Sequence, residues 1–97
     1  MTYAVEFDPG AEQDLADAFL WYEAQSEGLG TEFLRQATLQ KDRLARNPLI
    51  HAIEYADVRR AFLGRFPYAF HFQIEDRTVR VLACVHFRQS PAHWPGA

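Results

Sequence analysis

Cysteine is almost missing from this chain of 97 residues, Cys84 being the only one. A lone cysteine forms no internal disulfide, so a packed core has to hold the fold, and a reducing cytoplasm is the expected setting. Zinc sites built on paired cysteines are excluded as well. Four scattered histidines restore no metal-ligand spacing, and neither a metal nor a cofactor is expected. Cys84 itself reads as a small hydrophobe in a strand, since no base stands beside it in sequence. No apolar run approaches the roughly 20 residues that span a bilayer, and no N-terminal stretch has the layout of a signal peptide. There is no glycine-rich phosphate loop, internal repeat or low-complexity tract. Positive charge is not in excess either. The formal net charge is −3, whereas a protein built mainly to grip nucleic acid is usually basic.

What is present favours one compact domain over residues 1–97. Of these residues 48% are apolar and 14% aromatic, enough to build a core and too many for a disordered chain. The charge is unevenly spread. Residues 1–47 hold nine acids against four bases, and residues 48–97 hold six arginines against four acids and all four histidines. The second half is therefore the anion-facing half.

The stretch Phe66 to Trp94 organises the chain. Tyr68–Glu75 and Thr78–Phe87 read as the arms of a β-hairpin turning at Asp76-Arg77. A regular register pairs Ile74 with Val79, Phe72 with Val81, Phe70 with Ala83 and Tyr68 with Val85. All four pairs are apolar and would share one face. That register leaves His71, Arg80, Leu82, Cys84, His86 and Arg88 on the other face. Upstream, Tyr3, Val5 and Phe7 alternate as a short strand, and Asp8-Pro9 is an N-cap followed by a helix-starting proline. Ala11, Leu15, Ala18, Phe19 and Tyr22 form a helical stripe, with Leu20 and Trp21 bulky and off it. Gly28 is expected to close this helix and Thr31 to cap a second one, whose stripe is Phe33, Leu34, Ala37, Lys41, Leu44 and Ala45. Asn47-Pro48 ends that helix, His51–Tyr55 is weakly extended, and Val58–Leu63 is a strand. The expected fold is two-layer α+β: an N-terminal strand, an antiparallel helical hairpin, then a three-stranded antiparallel meander.

The chemistry-bearing residues gather at the open end of the hairpin: His86, Arg88, His93 and Trp94, with Arg59 and Arg60 from the neighbouring strand. Arginines and a histidine around a groove stabilise charge on phosphate, and an aromatic ring stacks a base. The plainer reading has Arg88 paired with a carboxylate and Trp94 closing the core.

The order of short motifs resembles the RelE/ParE superfamily of toxins from type II toxin–antitoxin modules. It is carried by Tyr3-Ala-Val-Glu-Phe, Ala11-x-x-Asp14-Leu15 with Tyr22, Asn47-Pro48, Val58-Arg59-Arg60, Phe66-Pro67-Tyr68, and Val81-Leu82 running into His86-x-Arg88 with Pro91 and Trp94. The resemblance implies a helical hairpin on a small antiparallel sheet, and a cognate antitoxin as partner in a hetero-oligomer. RelE-like members cut mRNA on the ribosome, whereas ParE-like members block DNA gyrase without nuclease chemistry. In a nuclease the candidate catalytic residues would be Arg59, Arg60, His86, Arg88 and His93. The chain has Ala69 where RelE-like members carry an arginine after the third-strand tyrosine, and Trp94 where they carry a tail tyrosine. Tryptophan has no proton for acid–base work. The resemblance therefore implies a ParE-like gyrase inhibitor that binds its target through Arg59, Arg60, Arg88 and Trp94 and its antitoxin through Leu20 and Trp21. The alternatives are a RelE-like endoribonuclease and a degenerate toxin acting only through antitoxin binding.

Overall fold

The computed structural model describes residues 2–95. Strand β1 (Ala4–Phe7) leads into helices α1 (Pro9–Gln25) and α2 (Leu29–Arg46). A 3₁₀ turn (Pro48–Ile50) follows, then β2 (Ile53–Tyr55), β3 (Val58–Phe62), β4 (Tyr68–Glu75), β5 (Thr78–His86) and a second 3₁₀ turn (Pro91–His93). The strands form one five-stranded sheet in the order β1-β5-β4-β3-β2. β1 runs parallel to β5 and every other pair is antiparallel. The expected α+β architecture is present, with β2 lengthening the meander to four strands.

The helical hairpin covers one face. Ala11, Ala18 and Tyr22 from α1 and Phe33, Ala37 and Leu44 from α2 meet Phe70, Phe72, Val79 and Val81 from the sheet. Gly30 allows the two helices to approach closely. A Cβ at this position would lie 2.7 Å from the Phe19 carbonyl oxygen and 2.9 Å from Glu23 Oε1.

Several local expectations are corrected. Asp8 flanks α1 as expected, but its carboxylate accepts from Arg80 Nε at 3.0 Å and leaves the helix end uncapped by a side chain. α1 stops at Gln25 with Ser26 as its cap, and Gly28, at φ +87°, is the N-cap of α2. Thr31 consequently lies inside α2. Its capping role falls to Glu23, whose carboxylate accepts from the Gly28 and Gly30 amides at 2.9 Å each. The buried face of α2 is Gly30, Phe33, Gln36, Ala37, Gln40 and Leu44, while Leu34 and Lys41 are exposed. Gln40 is admitted because its amide donates to the Phe62 carbonyl at 2.8 Å.

The main correction is the hairpin register. From the turn to the Phe72–Val81 pair it is as expected. Beyond that, β5 carries an extra residue: His71 pairs with Ala83, Phe70 with Cys84, Ala69 with Val85 and Tyr68 with His86. Leu82 is the residue that opposes none, a β-bulge. Past the bulge the faces of β5 exchange. Cys84 joins the helix-side core, and Val85 is buried on the opposite face with Ala69. Val85 is thus buried, as expected, but not against the helices.

Candidate functional site

The bulge divides the expected cluster between two sides of the sheet. On the outer face, Arg60 is paired in register with His71. Its guanidinium meets Glu54 at 2.8 Å and stacks over Trp94, 4.9 Å from the ring centroid, and over Phe62 at 5.2 Å. His71 is 1% exposed. Its Nδ1 shares a 2.7 Å hydrogen bond with the Tyr55 hydroxyl, and the Trp94 ring stands edge-on at 5.1 Å. Burial removes the hydration of an imidazolium, and Arg60 adds repulsion that Glu54 offsets only in part; the His71 pKa falls to about 4. His71 is therefore neutral at physiological pH. Trp94 also packs on Tyr55 at 5.2 Å, so the tail residue seals this face.

On the helix side, the end of the hairpin and α1 enclose a cleft of about 820 Å³. Trp21, Tyr22, Pro67, Tyr68 and Phe87 supply apolar walls, and His86 and Arg88 supply polar groups. Trp21 is 58% exposed and meets Tyr22 edge-on at 5.0 Å. His86 stands edge-on to Tyr68 at 5.0 Å, and its Nδ1 accepts from the Arg88 amide at 2.9 Å. A smaller pocket of about 280 Å³ adjoins this cleft, shares Trp21, Tyr68 and Gln89 with it, and is lined by Asp14 and Asp17. Asp14 Oδ2 accepts from the Cys84 amide at 3.0 Å, beyond the point where β1 stops pairing with β5. Burial pushes the Asp14 carboxyl up, against the pull of that amide and with repulsion from Asp17. The Cys84 thiol is pushed up by burial and by Asp14, which makes it an inert core side chain.

The residues singled out in the sequence are only partly brought together. Arg60 and Trp94 touch on the outer face, while Arg88 and Trp21 line the cleft. Arg59 is paired in register with Phe72, on the helix side of β3, and its guanidinium donates to the His51 carbonyl. It is separated from Arg60 by the alternation of the strand. His93 lies exposed in the last 3₁₀ turn and joins neither group. Leu20 is 65% exposed and lies outside the cleft. The sequence reading assigned no site role to Tyr55, Glu54 or Asp14. Tyr55 carried a signal as the aromatic end of a weak extended segment, and Asp14 as a member of the Ala11-x-x-Asp14-Leu15 motif.

His71 is buried and neutral, His86 Nδ1 is occupied by a backbone amide, and His93 is remote. His86 lines the cleft and also a smaller pocket of about 190 Å³ on the outer face, where it joins Arg60, His71 and Trp94. Among the described residues no group of three or more potential ligands would hold a metal ion, and no helix is long and apolar enough to cross a membrane. Exposed rings stand beside a cation in the cleft. Arg88 makes no ion pair among the described residues.

No family model and no curated protein matches the sequence. Solved structures do match. A chain of the chromosomal ParDE TA system from P. aeruginosa superposes with a TM-score of 0.77 at 17% identity, over 87% of this chain and 95% of that one. A chain of the toxin–antitoxin complex RelBE2 from Mycobacterium tuberculosis superposes with a TM-score of 0.61 at 24% identity, over 89% of this chain and 99% of that one. With its strand, helical hairpin and antiparallel meander matched along nearly the full length of both, the chain has the RelE/ParE-like fold.

Proposed function

We propose that this chain is the toxin of a type II toxin–antitoxin module, a cytoplasmic ParE-like inhibitor of DNA gyrase held inactive by a cognate antitoxin. The observation that supports the ParE-like reading is the state of the histidines: His71 is buried and neutral, and Nδ1 of His86 already accepts from the Arg88 amide. A nuclease has to move protons at the attacking hydroxyl and the leaving oxygen, whereas an inhibitor needs only a complementary surface. Full-length likeness to a chain of a ParDE system supports the same reading. Arg88 is the principal target contact, since its charge is not spent on a carboxylate among the described residues. Arg60 and Trp94 act as a rigid second contact, with Arg59 behind them in a structural role. Trp21 is the antitoxin anchor on the helical hairpin, and Leu20 extends that contact on the solvent side.

The higher identity to a chain of RelBE2 favours one second reading, a RelE-like ribosome-dependent endoribonuclease. One preparation, expressed without antitoxin, distinguishes the two in a gyrase supercoiling assay and a ribosome-dependent mRNA cleavage assay. We expect supercoiling to be inhibited and mRNA to stay intact. Changing His86 and His93 together to glutamine should leave inhibition within a few-fold. Codon-positioned cleavage that drops by at least ~10²-fold in the double variant would establish the nuclease instead. Antitoxin binding with neither activity would identify a degenerate toxin.

A further inference from the structure

At the end of the sheet opposite the cleft, exposed apolar surface gathers a second time. Leu49 and Ile50 in the first 3₁₀ turn and Ile53 at the start of β2 are each more than half exposed. The turn has a fixed base, because Pro48 is buried and His51 stands edge-on to Phe72 at 5.8 Å. Ile53 is paired in register with Arg59, and Arg59 with Phe72, so all three lie on the helix side of the sheet. Beside them is a pocket of about 320 Å³, lined by Ile53, Asp57, Arg59, Gln73, Ile74 and Glu75. A projecting aliphatic pair and a pocket with aliphatic walls thus stand side by side.

The two edges of the sheet differ. β1 is tied to its surroundings: the Tyr3 amide donates to the Ala45 carbonyl of α2 at 2.7 Å, and the Arg77 guanidinium lies over the Tyr3 ring at 4.5 Å. Among the described residues β2 makes no backbone–backbone hydrogen bond beyond its pairing with β3. It is three residues long with an irregular register, too short to template a foreign strand. What packs on this edge has to do so through side chains.

Charge selects the occupant. Arg46, in the last turn of α2 just before the projecting pair, and Asp57, on the pocket rim, are exposed, and neither makes an ion pair among the described residues. Asp57 is held in a tight turn, where Ala56 and Asp57 have φ of +40° and +63°. One surface therefore carries knob and hole, cation and anion, which is the self-complementarity that a two-fold interface needs. A two-fold axis at Ile53 that sets two β2 strands antiparallel brings positions 49 and 50 of one copy opposite positions 57 and 56 of the other. Leu49 and Ile50 then meet the pocket, and Arg46 meets Asp57, on both sides of the axis.

We infer that this chain pairs with a second copy of itself across the β2 edge, with Leu49 and Ile50 of each copy packed into the pocket beside Ile53 of the other. The contact is small, so the dimer is weak and reversible. It lies at the far end of the sheet from Trp21 and Arg88 and does not rest on the functional reading above.

Sedimentation velocity over a wide concentration range tests this on the full chain expressed without antitoxin. We expect a monomer–dimer equilibrium in the micromolar range. Ile50→Asp, at an exposed position, should weaken the dimer at least about tenfold, because a charge without a partner is then buried. Arg46→Ala and Asp57→Asn should each weaken it a few-fold, and the double variant no more than either alone, since both remove the same contact. Asparagine tolerates the left-handed backbone at position 57, and thermal melts check that every variant is folded. Trp21→Ala should leave the equilibrium unchanged. A chain that is monomeric throughout, a dimer undisturbed by Ile50→Asp, additive effects at Arg46 and Asp57, or a dimer lost in Trp21→Ala would each overturn the inference. So would a monomer whose Leu49 and Ile50 amides shift only when antitoxin is added, which would give this surface to that partner.

Discussion

His71 is the residue whose environment departs furthest from its sequence signal. A histidine on a mixed strand reads as a titrating surface group, and here it is a neutral core group bonded to Tyr55 under Trp94. The consequence is a pH dependence of stability. The folded pKa lies near 4, below the ordinary 6.5, so between these values the unfolded chain binds the extra proton. The stabilisation due to the neutral imidazole is complete above about pH 6.5 and drains away as pH falls toward 4. At about 1.4 kcal/mol per pKa unit the full loss is roughly 3–4 kcal/mol. His71→Gln keeps a group able to bond Tyr55 and cannot titrate. Urea unfolding at pH 7.5, 5.5 and 4.5 should show the wild type losing more stability than the variant on acidification. Parallel curves would show that His71 is hydrated in the folded state.

In the helical hairpin α1 and α2 approach closely at Gly30. Two effects oppose each other there. Alanine in a helix interior is favoured over glycine by about 1 kcal/mol. A Cβ at Gly30, however, would sit 2.7 Å from a backbone oxygen of α1, which cannot rotate away as a side chain could. Overpacking of this kind costs about 1–3 kcal/mol, and it also displaces the Glu23 carboxylate that holds the start of α2. We expect Gly30→Ala to be net destabilising by about 1–2 kcal/mol in chemical denaturation. A gain in stability would mean that the helices separate at little cost and that propensity decides. On the sheet, the bulge at Leu82 has the corresponding role. It bends the pattern so that His86 faces Tyr68 and the cleft while Val85 turns to the outer face.

At the scale of the whole molecule, the sheet has two unequal coverings. The helix side holds a large aromatic and aliphatic core that includes Phe33, Phe66, Phe70 and Phe72. The outer side is closed by a thin layer in which Trp94 lies over His71 and Tyr55. The two coverings should fail differently. Phe72→Ala, at a fully buried position, should cost ~3–5 kcal/mol, a large share of the stability of a domain this size. Trp94→Ala removes a partly exposed ring and should cost about 1–2 kcal/mol, leaving one cooperative transition. Hydrogen exchange should then show faster exchange in β2 and β3 with β4 and β5 still protected. Equal destabilisation by the two changes would make the outer layer part of the main core.

The sequence by itself determined the order and kind of the elements. Asp8-Pro9 and Asn47-Pro48 punctuate the helices, and the alternation of Phe70, Phe72, Ile74, Val79 and Val81 specifies the inner half of the hairpin, because these are local effects of backbone geometry and burial period. Tertiary structure decided what local signals leave open. The insertion of Leu82 is invisible to alternation, since apolar residues follow on both faces, and only packing of Cys84 on α1 and of Val85 under the tail selects it. The start of α2 was settled by a Glu23 side chain from another helix. The separation of Arg60 with Trp94 from Arg88 with Trp21 follows from the bulge and from strand alternation acting together. Which of the candidate residues share a side was therefore illegible, because which side of a sheet a residue faces depends on a register set by contacts far apart in sequence.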